Sequence, residues 1–177
     1  MELISKDNWA SYWRDNKWPS SMVIDTNLFY HLRLLDEIFC KFLHKDKTKQ
    51  FLELGCGCGD WLIYFNKKFG YKVYGVEYTQ AGCEISKRNL EINNVKGIIL
   101  NKDIFNLNFR RESFDIVCSV GLVEHFDSPK EILRIHYNLL KKGGILIIEC
   151  PNYSAFNKFI DTKTDCNNSS NSSNCGT

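Results

Sequence analysis

The apolar positions of this chain follow two different periods. Leu28, Leu32, Leu35, Phe39 and Phe42 come at steps of four, three, four and three, one stripe of an amphipathic helix. Asp25 is placed to cap that helix, which then starts near Thr26. Trp9, Tyr12 and Trp13 recur at three and four residues, so a second helical face precedes the break at Pro19, Ser20 and Ser21. That face either packs its aromatics on the body or closes over a ligand, and one segment can do both. From residue 51 the pattern changes to short apolar runs: 51–54, 71–77, 98–100, 114–120 and 144–149. These read as strands, and the run at 114–120 is apolar along its length, as a strand covered on both faces should be.

Helical signals lie between the runs. Asp60 opens a helix carrying Trp61, Leu62, Tyr64, Phe65 and Phe69, and Gly70 ends it. Thr79 caps another that runs to about Asn93. Ser128, Pro129 and Glu131 make a helix start, with Ser as the cap, Pro first and Glu three after the cap. That helix presents Ile132, Leu133, His136, Leu139 and Leu140 and is expected to stop at Gly143 and Gly144. His136 reads as structural or exposed rather than catalytic. Strands alternating with helices imply an α/β fold, a Rossmann-like doubly wound parallel sheet with right-handed crossovers and strand order 3-2-1-4-5.

Composition narrows the classes. A chain of 177 residues is long enough for one domain with a real core. A net charge of +2 is too small to argue for nucleic acid or an acidic membrane. The first residues lack the basic and apolar regions of a signal peptide, and no apolar run approaches a membrane span. The eight cysteines show no paired C-x-x-C framework and read as reduced thiols of a cytoplasmic protein. Residues 161–177 are almost free of apolar side chains and read as a disordered Asn/Ser-rich tail. The chain thus divides into an aromatic-rich lid or helix segment, 1–24, a domain, 25–160, and the tail.

The candidate chemistry starts at the end of the first strand. There Glu53 precedes Gly55, Gly57 and Gly59 at alternate positions, where a strand must turn sharply into a helix. A dinucleotide turn would read Gly-x-Gly-x-x-Gly. An acid ahead of the glycines suits an ammonium better than a pyrophosphate. Glu77, 22 residues after Gly55, ends the second strand where a carboxylate can accept from two ribose hydroxyls.

The Glu53–Gly59 turn resembles motif I of the class I S-adenosylmethionine-dependent methyltransferases. With Glu77, Asp103 and the stretch 114–126, the resemblance covers roughly residues 25–152. It implies S-adenosylmethionine as cofactor, bound across the ends of strands 1 to 3. Glu53 would lie near the methionine ammonium, with Gly55, Cys56, Gly57 and Gly59 forming the turn around the cofactor. Glu77 and Tyr78 would serve the ribose side. Asp103 would accept from the adenine amine and the Ile104 N–H would meet a ring nitrogen. Backbone around Ser119 would face the methionine part.

The segment Leu122–Phe126 resembles the "LEH" stretch of the ubiquinone-biosynthesis O-methyltransferases, which makes Glu124 and His125 the catalytic candidates. Alternatively, His125 caps the strand or packs under the cofactor. Some of those relatives hold a metal with a further acid three residues before the Glu. Gly121 stands there in this chain, so no metal is expected. The family's closing strands 6 and 7 have no counterpart in the sequence, and the chain reads as truncated at its C-terminus.

The expected function is methyl transfer to a small molecule or a protein side chain, with no nucleic acid and no membrane as partner. A cofactor-binding module without turnover is the alternative, paired with itself or a partner at an exposed sheet edge. A nicotinamide oxidoreductase fits Glu77 but neither the glycine spacing nor Glu53.

Overall fold

The computed structural model describes residues 4–15, 24 and 30–151. An N-terminal helix, α1 (Lys6–Asp15), is followed by α2 (Tyr30–Phe42) and then by the alternating body. That body comprises β1 (Gln50–Leu54), α3 (Asp60–Phe69), β2 (Lys72–Glu77), α4 (Gln80–Ile92), β3 (Gly97–Asn101), β4 (Phe114–Val120), α5 (Pro129–Leu139) and β5 (Leu140–Glu149). Short 3-10 turns follow β3 (Ile104–Asn106) and β4 (Val123–His125). All pairings are parallel, and the sheet order is β3-β2-β1-β4-β5, the order expected. The disordered tail, the absence of strands 6 and 7 and the helix start near Thr26 fall outside the described residues.

β1 lies in the middle of the sheet, paired along both edges, and a core covers each of its faces. Phe51 joins an aromatic-rich core with Phe39, Phe65, Phe69 and Tyr71, while Leu52 and Leu54 face a second core with Phe114, Ile132 and Leu139. By strand alternation Glu53 points to the same side as Phe51. Gly75 of β2 leaves no room for a side chain: a Cβ there would meet Cys56 Sγ at 2.6 Å. The turn after β1 therefore lies directly on β2, where Gly55 and Cys56 both donate to the Val76 carbonyl, at 2.8 and 3.0 Å.

Three local expectations are corrected. Phe42 is 60% exposed and the buried place belongs to Leu43, four residues after Phe39; the Leu43 N–H continues the helical bonding to the Phe39 carbonyl at 2.8 Å. Ser128 makes no side-chain cap bond; its carbonyl accepts from the Glu131 N–H at 3.1 Å instead. Helix α5 stops at Leu139, not at the glycines. Gly143 (φ 74) and Gly144 lie inside β5 where the β4–β5 register jumps from Phe114↔Leu140 to Ile116↔Ile145, so they absorb a bulge. Thr79 does cap α4, accepting from the Gly82 N–H at 3.1 Å, and Gly70 (φ 80) ends α3.

Candidate functional site

The carboxyl ends of β1, β2 and β4 meet at one rim. Glu77 is 5% exposed and held by the protein on both oxygens. Oε1 accepts from the Thr79 N–H at 2.9 Å and the Thr79 hydroxyl at 2.8 Å, and Oε2 accepts from the Gly57 N–H at 3.2 Å. Gly82 is needed beside it, since a Cβ there would come within 2.8 Å of the carboxyl carbon. A carboxylate offers about four acceptor positions, so one remains for a ligand. Helix α4 holds the turn as well: Ser86 donates to the Gly57 carbonyl at 2.9 Å and Asn89 to that of Cys58 at 3.0 Å. Asn101 ties β3 in by donating to the Glu77 and Tyr78 carbonyls, both at 3.0 Å.

Beside this braced turn lie two carboxyl groups that are not braced. Glu53 is 2% exposed, and its Oε2 is buried with no hydrogen-bond partner among the described residues. Burial first, then the Asp60 and Glu77 charges, push its carboxyl well above the ordinary range. Asp60, the first residue of α3, accepts from the Cys58 thiol at 3.2 Å on Oδ2. Its Oδ1 is buried and unpartnered, and burial raises this carboxyl too. Cys56 is buried against Ser86, 3.6 Å between Sγ and Oγ; burial, then Glu53, push its thiol up.

The other expected positions are more scattered. Asp103 caps the 3-10 turn after β3, its Oδ1 accepting from the Phe105 N–H at 2.9 Å, while Ile104 is buried in the α5-side core. The Ser119 side chain is turned away from the rim. It is fully buried, with its hydroxyl 2.9 Å from His136 Nε2. His136 Nδ1 lies 2.8 Å from the Ile132 carbonyl, which can only accept. Nδ1 therefore carries the proton, and Nε2 accepts from Ser119. Burial lowers this imidazole, partly offset by the Ile132 carbonyl, so His136 is a neutral structural histidine. What Ser119 can offer a ligand is its backbone.

Glu124 and His125 sit in the turn after β4. Glu124 Oε2 is buried and unpartnered among the described residues. Glu149, at the end of β5, is raised by burial and then by the Glu124 charge. Gly121 (φ 64) leaves open space, with Glu124 Oε1 3.7 Å from where a Cβ would be.

Helix α1 connects these pieces, which the sequence did not reveal. Lys6 Nζ stands 4.6 Å over the Tyr78 ring after β2. Trp9 meets the His125 ring edge-on at 4.9 Å after β4. A Cβ on Gly57, after β1, would come within 2.6 Å of the Trp13 indole. No residue of α1 is fully buried, so the helix lies across the rim rather than in the core. The Trp9–Trp13 spacing marked the helical face; nothing local said which three loops it would touch. Among the described residues no group of three or more His, Cys, Asp or Glu could hold a metal, and no helix is long and apolar enough to cross a membrane.

Residues 52–148, more than half of the chain, match the family model described as a methyltransferase domain. The chain belongs to the methyltransferase domain family. It is of the class I, S-adenosylmethionine-dependent kind. A ubiquinone biosynthesis O-methyltransferase of Coxiella burnetii is 27% identical over 124 residues, covering 68% of this chain and 53% of the relative. This methyltransferase domain thus spans about half the length of that curated relative. Among solved structures, an S-adenosylmethionine-dependent methyltransferase from Clostridium acetobutylicum superimposes with a TM-score of 0.58 at 19% identity, over 72% of this chain and 52% of that one. Coclaurine N-methyltransferase, solved with N-methylheliamine and S-adenosylhomocysteine, gives 0.56 at 21% identity, over 65% and 34%. At those identities the likeness establishes the fold of the methyltransferase domain, not its acceptor.

Proposed function

We propose that this chain transfers the methyl group of S-adenosylmethionine to a small-molecule acceptor bearing a hydroxyl or an amine. The observation that carries the reading is the glycine turn closed onto Glu77 beside the buried, unpartnered oxygen of Glu53. A carboxylate with a spare acceptor suits a ribose, and a buried carboxyl with no partner suits an ammonium. The residues therefore fit the cofactor. Glu77 accepts from the ribose, its 3.2 Å contact with the Gly57 N–H being the weakest to give up. Tyr78 flanks the ribose side. Asp103 accepts from the adenine amine, and the Ile104 N–H serves a ring nitrogen. Gly55, Cys56, Gly57 and Gly59 let the backbone approach closely. Backbone near Ser119 lines the methionine part.

The cofactor, when bound, supplies a methyl carbon on a positive sulfonium. The chain supplies orientation and shelter from water. His125 takes the proton that the acceptor releases, and Glu124 beside it favours the resulting imidazolium. Helix α1, in the segment 1–24, covers the rim, while 25–160 forms the transferase body. The names of the relatives, which include O- and N-methyltransferases of small molecules, support a small acceptor over a protein side chain. Free thiols at the described cysteines support the cytoplasm. A second reading, a binding module completed by a partner or a second copy, draws on β5, an edge strand among the described residues whose Leu146 is 38% exposed.

Calorimetric titration with S-adenosylmethionine and with NAD tests the assignment. Binding of the first alone, lost in Glu77→Ala, is expected. Binding of NAD alone, or of neither by a folded chain, refutes it. Binding with no methyl transfer to any hydroxyl or amine offered favours the module.

A further inference from the structure

We propose that Asp60 is a cofactor-binding residue, a second carboxylate that shares the amino-acid ammonium with Glu53. The inference rests on the cofactor reading above and concerns a residue which that reading leaves unused. Asp60 directly follows Gly59 (φ 82) and opens α3. An acid in the first turn of a helix is favoured by the helix dipole alone. That accounts for a carboxylate at this position but not for one whose Oδ1 is buried without a partner. Glu53, on the neighbouring strand and 2% exposed, has an oxygen in the same condition.

The Asp60 charge raises the cost of ionising Glu53, and among the described residues neither carboxyl takes part in an ion pair. The ion pairs Lys68–Asp36 and Lys141–Asp115 lie away from this turn. Cys58 uses Oδ2, not Oδ1. Two carboxyl groups with buried, unpartnered oxygens, the charge of one raising the other, are destabilising on their own, and a ligand cation relieves both at once. A primary ammonium has three donors in a compact head, enough for Glu53 Oε2, Asp60 Oδ1 and one further acceptor. Glu77 is held by Thr79 and Gly57, and in the reading above its remaining acceptor serves the ribose rather than the ammonium.

The test compares two ligands on three proteins by calorimetry. S-Adenosylhomocysteine carries the ammonium; 5′-methylthioadenosine keeps the adenosine and sulfur but lacks the amino-acid end. The wild-type chain is set against Asp60→Asn and Asp60→Ser, the latter retaining an oxygen suited to a helix start should the amide variant fold poorly. Each substitution is expected to weaken S-adenosylhomocysteine about tenfold, the size of a lost charged hydrogen bond, and to leave methylthioadenosine unchanged. Unchanged S-adenosylhomocysteine binding overturns the assignment, and so does an equal loss for both ligands, which would mark Asp60 as structural; either leaves the cofactor reading intact. Failure of the wild-type chain to bind either ligand overturns the cofactor reading and the role of Asp60 together.

Discussion

Glu77 at the end of β2 and Glu124 after β4 both present a carboxylate at the rim of the sheet, and they are held in different ways. Glu77 accepts three hydrogen bonds from Thr79 and Gly57, and α4 fixes the turn that supplies one of them. Glu124 has a buried oxygen with no partner among the described residues and a second carboxylate, Glu149, close enough to feel its charge. The imidazole next to it meets a tryptophan from the far end of the chain. The β2 side is finished by residues near it in sequence, and its geometry exists before any ligand arrives. The β4 side is finished by α1, from the far end of the chain. A site that must hold one invariant cofactor and a particular acceptor gains from that division: rigidity where the ligand never changes, adaptability where it does.

The largest test of this contrast is Glu77→Ala. Removing the carboxylate leaves the Thr79 and Gly57 N–H groups without their acceptor. We expect adenosine binding to fall about a hundredfold and stability to fall by about 2–4 kcal/mol, read by calorimetry and thermal melting. Wild-type affinity in this variant would mean that the β2 side is not the preformed one.

His136→Ala comes next, because His136 anchors β4 through Ser119. A buried ring is lost and a hydroxyl is stranded, for roughly 3 kcal/mol, with little change in adenosine affinity. The pH dependence has a definite sign. The folded chain holds this imidazole below its ordinary 6.5, so its contribution is present above 6.5 and is lost as pH falls below it. Melting curves from pH 7 downward should be flatter in the variant.

Gly57→Ala probes whether α1 rests on the turn. The left-handed φ of 50° costs about 1–2 kcal/mol for a residue with a Cβ, and the Trp13 contact adds to it. In a Trp13→Ala background only the backbone part should remain. Equal losses in both backgrounds would place α1 elsewhere in solution.

The smallest effect is a gain. The folded Glu53 carboxyl is raised above the ordinary glutamate value of 4.5, so the folded chain grips that proton more tightly than the unfolded one. Its contribution is therefore full below 4.5 and is lost as pH rises above it. Glu53→Gln should flatten that decline and raise the melting temperature at neutral pH by about 2–4 °C, while weakening S-adenosylhomocysteine. A variant less stable than wild type at neutral pH would refute the electrostatic account.

Most of the frame was legible in the sequence because strand-to-helix alternation with short connections admits few topologies. The placement of Glu53 and Glu77 at the rim was legible because each acid stands at the carboxyl end of a strand beside the glycine turn. The α1 contacts were not, since Lys6, Trp9 and Trp13 find partners at Tyr78, His125 and Gly57, and no local pattern encodes so distant a pairing. The helix start at Ser128 and Pro129 stands where the sequence puts it, and only the side-chain cap bond differs, because the Glu131 N–H bonds to the Ser128 carbonyl instead. Gly143 and Gly144 fit a helix stop by sequence, and in the sheet they serve a bulge. The same two glycines fit either role until the strand beside them is known.

The placement of β1 also bears on how the molecule assembles. Residues 50–101 contain β1, β2 and β3 as consecutive neighbours, joined by short crossovers. β4 docks on the opposite flank of β1, and the bond from the Gln50 N–H to Asp115 spans 65 residues. Contacts so far apart in sequence close late. During synthesis, the half carrying Glu53 and Glu77 is complete before β4 has emerged, leaving the middle strand with one bare flank. A nascent chain at that stage already carries the glycine turn and Glu77 with its Thr79 and Gly57 donors, so a ligand of that half would favour its folded form by mass action before the rest of the sheet has formed.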